Sequence, residues 1–176
     1  MEYITLDWAE DRRACAEAVE AFRKEFGTEA TTKEVLDWLN RIDKQGWLGW
    51  IMGQDNLNIT RELLNYGADI HSHHGYALRE ASSAGRLETV KFLMEHGADI
   101  RADGVGALGW AALFNRLDLV KFLVAYGVDV HAGDDFALLW ARNRDHKEVV
   151  KFLEQVGGVA GPLCQPQDGP VNKEEL

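Results

Sequence analysis

The chain has 176 residues, 46% of them hydrophobic, and 29 acids against 19 Lys and Arg give a net charge of −10. That length suits one domain or one continuous stack with a sizeable core. The acidity argues against nonspecific binding to nucleic-acid backbones, which requires clustered Lys and Arg, and two dissimilar cysteines, Cys15 and Cys164, exclude a disulfide framework and favour a reducing cytoplasm.

The first residues, Met1 to Trp8, lack a basic region followed by an apolar one, and no apolar run reaches membrane-spanning length. A soluble, unprocessed, cytoplasmic protein with no membrane association is expected. Residues 1–44 follow a helical pattern. Cys15, Ala18, Val19, Phe22 and Phe26 share one face, and Thr31 with Glu34 opens a second helix through Val35, Leu36, Trp38, Leu39 and Ile42. This segment predicts an N-terminal helical cap.

From residue 45 the sequence repeats. Gly67, Gly97, Gly127 and Gly157 recur every 30 residues, and Leu63-Leu64-Asn65-Tyr66-Gly67-Ala68-Asp69-Ile70 returns as Leu93-Met94-Glu95-His96-Gly97-Ala98-Asp99-Ile100. Leu48, Leu78, Leu108 and Leu138, with Ile51, Ala81, Ala111 and Ala141, form the buried stripe of a first helix in each unit. Leu63, Leu93, Leu123 and Leu153 anchor a second. Between them, Asp55, Gly85, Asn115 and Asp145 read as N-caps of the second helices, with Glu88, Asp118 and Glu148 completing a capping-box pattern. The recurring glycine supplies the left-handed residue that ends each second helix. Four units follow, at 45–74, 75–104, 105–134 and 135–157. All three prolines fall in the tail at 158–176, whose composition predicts a flexible segment.

The stretch from Gly85 to Ile100, Gly-Arg-Leu-Glu-Thr-Val-Lys-Phe-Leu-Met-Glu-His-Gly-Ala-Asp-Ile, resembles the ankyrin repeat. The resemblance implies an all-α helix-turn-helix solenoid behind an N-terminal helical cap. The usual unit is about 33 residues with a Thr-Pro-Leu-His opening. Here the openings are Tyr76-Ala77-Leu78-Arg79, Gly106-Ala107-Leu108-Gly109 and Phe136-Ala137-Leu138-Leu139, and the loop after Ile70 is short. The fingertip hairpin of the family should therefore be reduced. This 30-residue form is similar to arrays in giant viruses and some bacterial or phage proteins.

The resemblance further implies a groove that grips a macromolecular partner. By column its residues are Gly53 and Gln54, Ser83 and Ala84, Leu113 and Phe114, Asn143 and Arg144, with Tyr66, His96 and Tyr126 before the glycines. The loop residues His73, His74, Arg101 and Asp103 add to it. Leu113 and Phe114 stand out as apolar where the other units are small or polar, and they predict a hot spot flanked by the three aromatic loop-end residues. The column Trp50, Glu80, Trp110, Trp140 reads as structural. Glu80 is its anomaly, expected to pair with Arg79 or a loop histidine or to reach solvent.

No catalytic motif is present, and His71-Ser72-His73-His74 specifies too few ligands for a structural metal. The chain is thus expected to need no cofactor and to bind another protein, as an adaptor or scaffold. Alternatives are a small phage-encoded inhibitor of a host defence complex and an acidic nucleic-acid mimic. Self-association through Trp8, Trp38 or an uncapped end would give a homodimer.

Overall fold

The computed structural model describes residues 2–42, 45–101 and 106–157. Its order is β1 Tyr3–Thr5, α1 Leu6–Asp11, α2 Ala16–Phe26, β2 Glu29–Thr31 and α3 Thr32–Ile42, then eight further helices. These pair as α4 Gln45–Met52 with α5 Leu57–Asn65, α6 Ser72–Ala84 with α7 Leu87–Glu95, α8 Gly106–Leu113 with α9 Leu117–Ala125, and α10 Ala132–Asn143 with α11 Lys147–Gln155. The fold is all-α apart from one antiparallel ribbon, in which Tyr3 faces Thr31 and Thr5 faces Glu29.

The N-terminal segment is fastened locally. Thr31 and Glu34 form a reciprocal capping box: the Glu34 amide donates to Thr31 Oγ1 at 3.2 Å and the Thr31 amide to Glu34 Oε2 at 2.9 Å. Phe22, Phe26 and Trp38 meet edge-on or tilted, and Trp38 packs on Trp47 of α4 at 5.8 Å. Three further links reach the repeats: the Glu2 amide donates to Glu62 at 2.9 Å, Trp8 meets Trp50 edge-on at 5.7 Å, and Arg12 pairs with Asp55 at 2.9 Å.

In the stack, the leucines at 63, 93, 123 and 153 are buried and join one continuous core with the first-helix stripe. The glycines at 67, 97, 127 and 157 have φ between +91° and +108°, which a side chain would strain. Their chain reversal lets the Ala68, Ala98 and Val128 amides bond back to Leu63, Leu93 and Leu123, closing the helix ends.

The column at 55, 85, 115 and 145 has a different role from the expected N-cap. Gly85, Asn115 and Asp145 adopt positive φ and end the first helix, while the next residues, Arg86, Arg116 and His146, bond back to Ala81, Ala111 and Ala141. Gly, Asn and Asp tolerate left-handed backbone and also serve as N-caps, so residue type alone cannot separate the two. Only in the first unit does a second helix have a side-chain N-cap among the described residues, where Asn56 accepts from the Asn58 and Ile59 amides.

The units are stitched by the position that follows. Arg86 donates to the Gly53 carbonyl at 3.0 Å, Arg116 to Ser83 at 2.8 Å, and His146 Nε2 lies 2.9 Å from the Leu113 oxygen. Each side chain satisfies a carbonyl left over at the end of the preceding unit's first helix.

The short connection between units is a turn of two parts. Asp69, Asp99 and Asp129 each accept from the backbone amide two residues on. Then His73, His74 and Gly75, and likewise Gly133, Asp134 and Asp135, run left-handed for three residues before the helix proper. Three successive left-handed residues reverse the chain quickly, which is how a 30-residue unit closes without a hairpin finger. The first helices pack on one another more closely than the second helices do, so the stack bends with the first-helix row inside.

Candidate protein-interaction face

The inner row alternates holes and knobs. Along one column stand Gly46, Tyr76, Gly106 and Phe136, and along the next Gly49, Arg79, Gly109 and Leu139. A Cβ on Gly49 would sit 2.8 Å from Tyr76 Cβ, so the missing side chain is what admits the Tyr76 ring. Burial there pushes the Tyr76 phenol pKa up, with the Glu80 charge adding to it.

Further along the row, Trp110, Leu113 and Trp140 form an apolar cluster of their own, with Phe136 packed against it. Phe136 stacks on Trp140 at 5.7 Å. Phe114 stacks on Trp110 at 6.3 Å with the planes 16° apart, and remains 40% exposed. An exposed ring resting on a buried one loses little freedom when it is covered. The Arg79 guanidinium lies 4.2 Å over Tyr76 and 5.5 Å over Trp110. Glu80 is buried, and its ionic partner is Arg86 at 3.7 Å rather than Arg79 or a loop histidine. Arg86 follows the turn and points back toward the helix end, whereas the rings of Tyr76 and Trp110 hold Arg79.

The sequence-predicted residues divide into two groups. Phe114, Asn143 and Arg144 are exposed at the turn end of the inner row. Leu113 and Ser83 belong to the same columns but are buried, at 4% and 7% exposure. Leu113 is therefore no surface hot spot: Trp110 and Trp140, from adjacent units, enclose it. Ser83 turns its hydroxyl to the Glu80 carbonyl at 3.0 Å. Gln54 is fully buried and caps inward on the Trp50 carbonyl.

Tyr66, His96 and Tyr126 are exposed at the opposite end of the repeat. They follow the second helices, which run back antiparallel for nine residues, so about 13 Å of helix separates Tyr126 from the level of Phe114. Nor do His96 and Tyr126 face the inner row: His96 packs on Phe92 at 4.1 Å and Tyr126 on Phe122 at 5.9 Å, in the outer row. The expected single aromatic cluster around Phe114 is thus two separate features. His73, His74 and Arg101 are exposed on the loop end with them, and Asp103 lies outside the described residues, as does the 158–176 tail. Trp38 is buried, and Trp8 is half-buried and packed against Trp50. Among the described residues no three His, Cys, Asp or Glu side chains converge as a metal site needs, and no helix is long and apolar enough to cross a membrane.

The sequence match to known families falls on this architecture. The model for ankyrin repeats matches residues 48–134 in three copies. Residues 48–134 are ankyrin repeats. Among proteins of curated function, none matches the chain. Ankyrin repeats are protein–protein interaction modules, typically without enzymatic activity, and the matched span holds most of the inner face, from Trp50 through Tyr76 and Arg79 to Phe114.

Two features of this ankyrin face were missed in the residue pattern: the stacking of Arg79 between rings, and the return of Arg86, Arg116 and His146 to the preceding unit. The signal for the second was present as a column of Arg, Arg and His one place after the turn residue.

Proposed function

We propose that this protein is an adaptor that holds a protein partner against the first-helix row, with the Phe114 ring as anchor. The observation that carries this reading is the exposed Phe114 ring on a buried Trp110 platform. It lies on the inner side of an ankyrin stack, where neighbouring units present complementary columns. The described N-terminal residues leave it open: Trp8 covers Trp50 instead.

The test is a pull-down from a lysate of the source organism with wild type, Phe114→Asp and Tyr126→Asp side by side. A partner retained by wild type and Tyr126→Asp but lost from Phe114→Asp is expected. Retention by Phe114→Asp, or loss from Tyr126→Asp alone, would move the site to the loop end. An adaptor leaves the captured partner active, whereas stoichiometric loss of its activity would make this chain an inhibitor. Phe114→Asp should fold normally, because that ring is the exposed member of its stack.

A further inference from the structure

Charge is partitioned within the molecule. The four first helices, which line the inner row, carry Glu80, Asp134 and Asp135 and no other acid, although the chain as a whole holds 29. Glu80 is buried and paired with Arg86, and Asp134 and Asp135 belong to the left-handed turn at the loop end, where Asp135 accepts from His131 at 2.8 Å. The rest of the acidity lies on the N-terminal segment, the outer helices, the loops and the tail.

On the inner face that leaves two guanidinium groups that form no ion pair among the described residues. Arg79 is held over Tyr76 and Trp110, and it makes no ion pair among the described residues. Arg144 occupies in the last unit the column that Phe114 occupies in its own, is exposed, and likewise has no ion-pair partner among the described residues. The order across the face is therefore cation, stacked aromatic pair, cation. Nearby arginines are committed elsewhere: Arg116 to the Ser83 carbonyl and Arg142 to Glu154.

We infer that the segment docking on this face is an acidic peptide with an aromatic or large aliphatic side chain, its apolar group covering Phe114 and its carboxylates reaching Arg79 and Arg144. This rests on the reading of the face as the partner site. In a chain of net charge −10, unpaired arginines beside an exposed ring attract the opposite sign locally, while the surrounding acidity rejects a partner that is anionic along its whole length. Asp99 lines one small pocket with Arg79 near the loop end, so the peptide's carboxylates gain most at Arg144, toward the turns. The surrounding acidity also disfavours a single-stranded nucleic acid, which would otherwise suit stacked rings and arginines.

The experiment is selection of a short random-peptide phage library on the full chain, followed by titration of the best peptide, fluorescein-labelled, against wild type, Phe114→Ala and Arg144→Glu. A labelled oligothymidylate is titrated in parallel. Selected peptides should carry Asp or Glu beside an aromatic or Leu, and Arg144→Glu and Phe114→Ala should each weaken binding by about tenfold or more, with the Arg144 effect shrinking at high salt. Enrichment of Lys and Arg, or an unchanged affinity for Arg144→Glu, overturns the acidic partner but keeps the face if Phe114→Ala still weakens binding. Peptides indifferent to Phe114→Ala overturn the face itself. Tighter binding of the oligothymidylate in a Phe114-dependent manner, or no enrichment at all, overturns the peptide proposal. Arg144 is exposed, so its variant tests charge without disturbing the fold.

Discussion

In the outer row, α7, α9 and α11 share Val-Lys-Phe-Leu at 90–93, 120–123 and 150–153, and α5 keeps the cation and the leucine as Arg61 and Leu63, whereas the inner row, α4, α6, α8 and α10, repeats only its buried stripe. Outside, Arg61 lies over Phe92 and Lys91 over Phe122, each at 5.4 Å, so one unit's cation covers the next unit's ring. Inside, the column holding Gly53 continues as Ser83, Leu113 and Asn143, and the next runs from Gln54 through Ala84 and Phe114 to Arg144. A position that serves stacking faces the same neighbour in every unit and keeps its residue type. Positions that vary between constant ones do not have that single duty. The varied inner columns are where a partner can be specified, and the constant outer ones are where stability is built.

The glycines separate the two rows most sharply. Gly53 is needed for space: a Cβ there would lie 2.7 Å from the Ala77 carbonyl oxygen and 2.8 Å from Glu80 Cβ, and the backbone oxygen cannot swing aside. Gly97 is needed for its φ of +93°, with nothing within 4 Å of an added Cβ. Gly53→Ala should therefore cost about 2–3 kcal/mol by forcing α4 from α6, against about 1–2 kcal/mol of backbone strain for Gly97→Ala. Asn tells them apart: Gly97→Asn should recover part of the loss because Asn tolerates positive φ, and Gly53→Asn should be worse than Ala. Urea denaturation of the four variants decides it. Equal behaviour at both sites would erase the distinction between the rows.

A smaller effect is expected where the rows are joined. Arg116 of the outer row donates to the Ser83 carbonyl, so Arg116→Ala should cost about 1–2 kcal/mol by leaving that partly buried oxygen unsatisfied. The residue also packs beside Gly85, where a Cβ would come within 2.7 Å of Arg116 Cδ. Arg116→Ala should then make Gly85→Ala less harmful than it is in the wild type, and a double-mutant cycle in urea measures the coupling. Strict additivity would mean that the two do not touch in solution.

Much of this was legible in the residues because period and physical role coincide. Leucines at 63, 93, 123 and 153 could only be a buried stripe, and Thr31 with Glu34 spelled its capping box locally. What escaped depended on through-space relations. The ribbon of Tyr3–Thr5 with Glu29–Thr31 is three residues a side and pairs across an intervening helix hairpin, too short for alternation to register. Leu113 shares its column with the exposed Asn143, but its cover comes from Trp110 and Trp140, and the latter belongs to the following unit. The period alone does not register the antiparallel return of each hairpin, which places Tyr126 and Phe114 at opposite ends of their unit.

The first unit differs from the others in its turn column, and that difference is pH-dependent. Asp55 keeps φ out of the left-handed region that Gly85, Asn115 and Asp145 adopt, and it accepts from Arg12 Nη2 at 2.9 Å and Nε at 3.1 Å. The Arg12 hydrogen bonds hold its carboxyl below the usual aspartate range. A folded-state pKa below the unfolded one contributes stability above the ordinary carboxylate pKa, and that contribution is lost as pH falls through the folded value. The pair is solvent-exposed, with 63% of the Asp55 side chain accessible, so its worth is a few tenths of a kcal/mol. Asp55→Asn should lower stability by that amount near neutrality and by progressively less as the pH falls below about 4, where the unfolded chain's carboxyl is protonated first, until the native carboxylate is protonated too at its lower value. Arg12→Ala adds a second loss, the cation over Trp8 at 5.0 Å, which acid does not remove. Urea midpoints for both variants at neutral and acid pH separate these contributions: a deficit in Asp55→Asn that persists in acid would mean that Asp55 acts through the turn's backbone geometry, as its counterparts in the later units do, and not through Arg12.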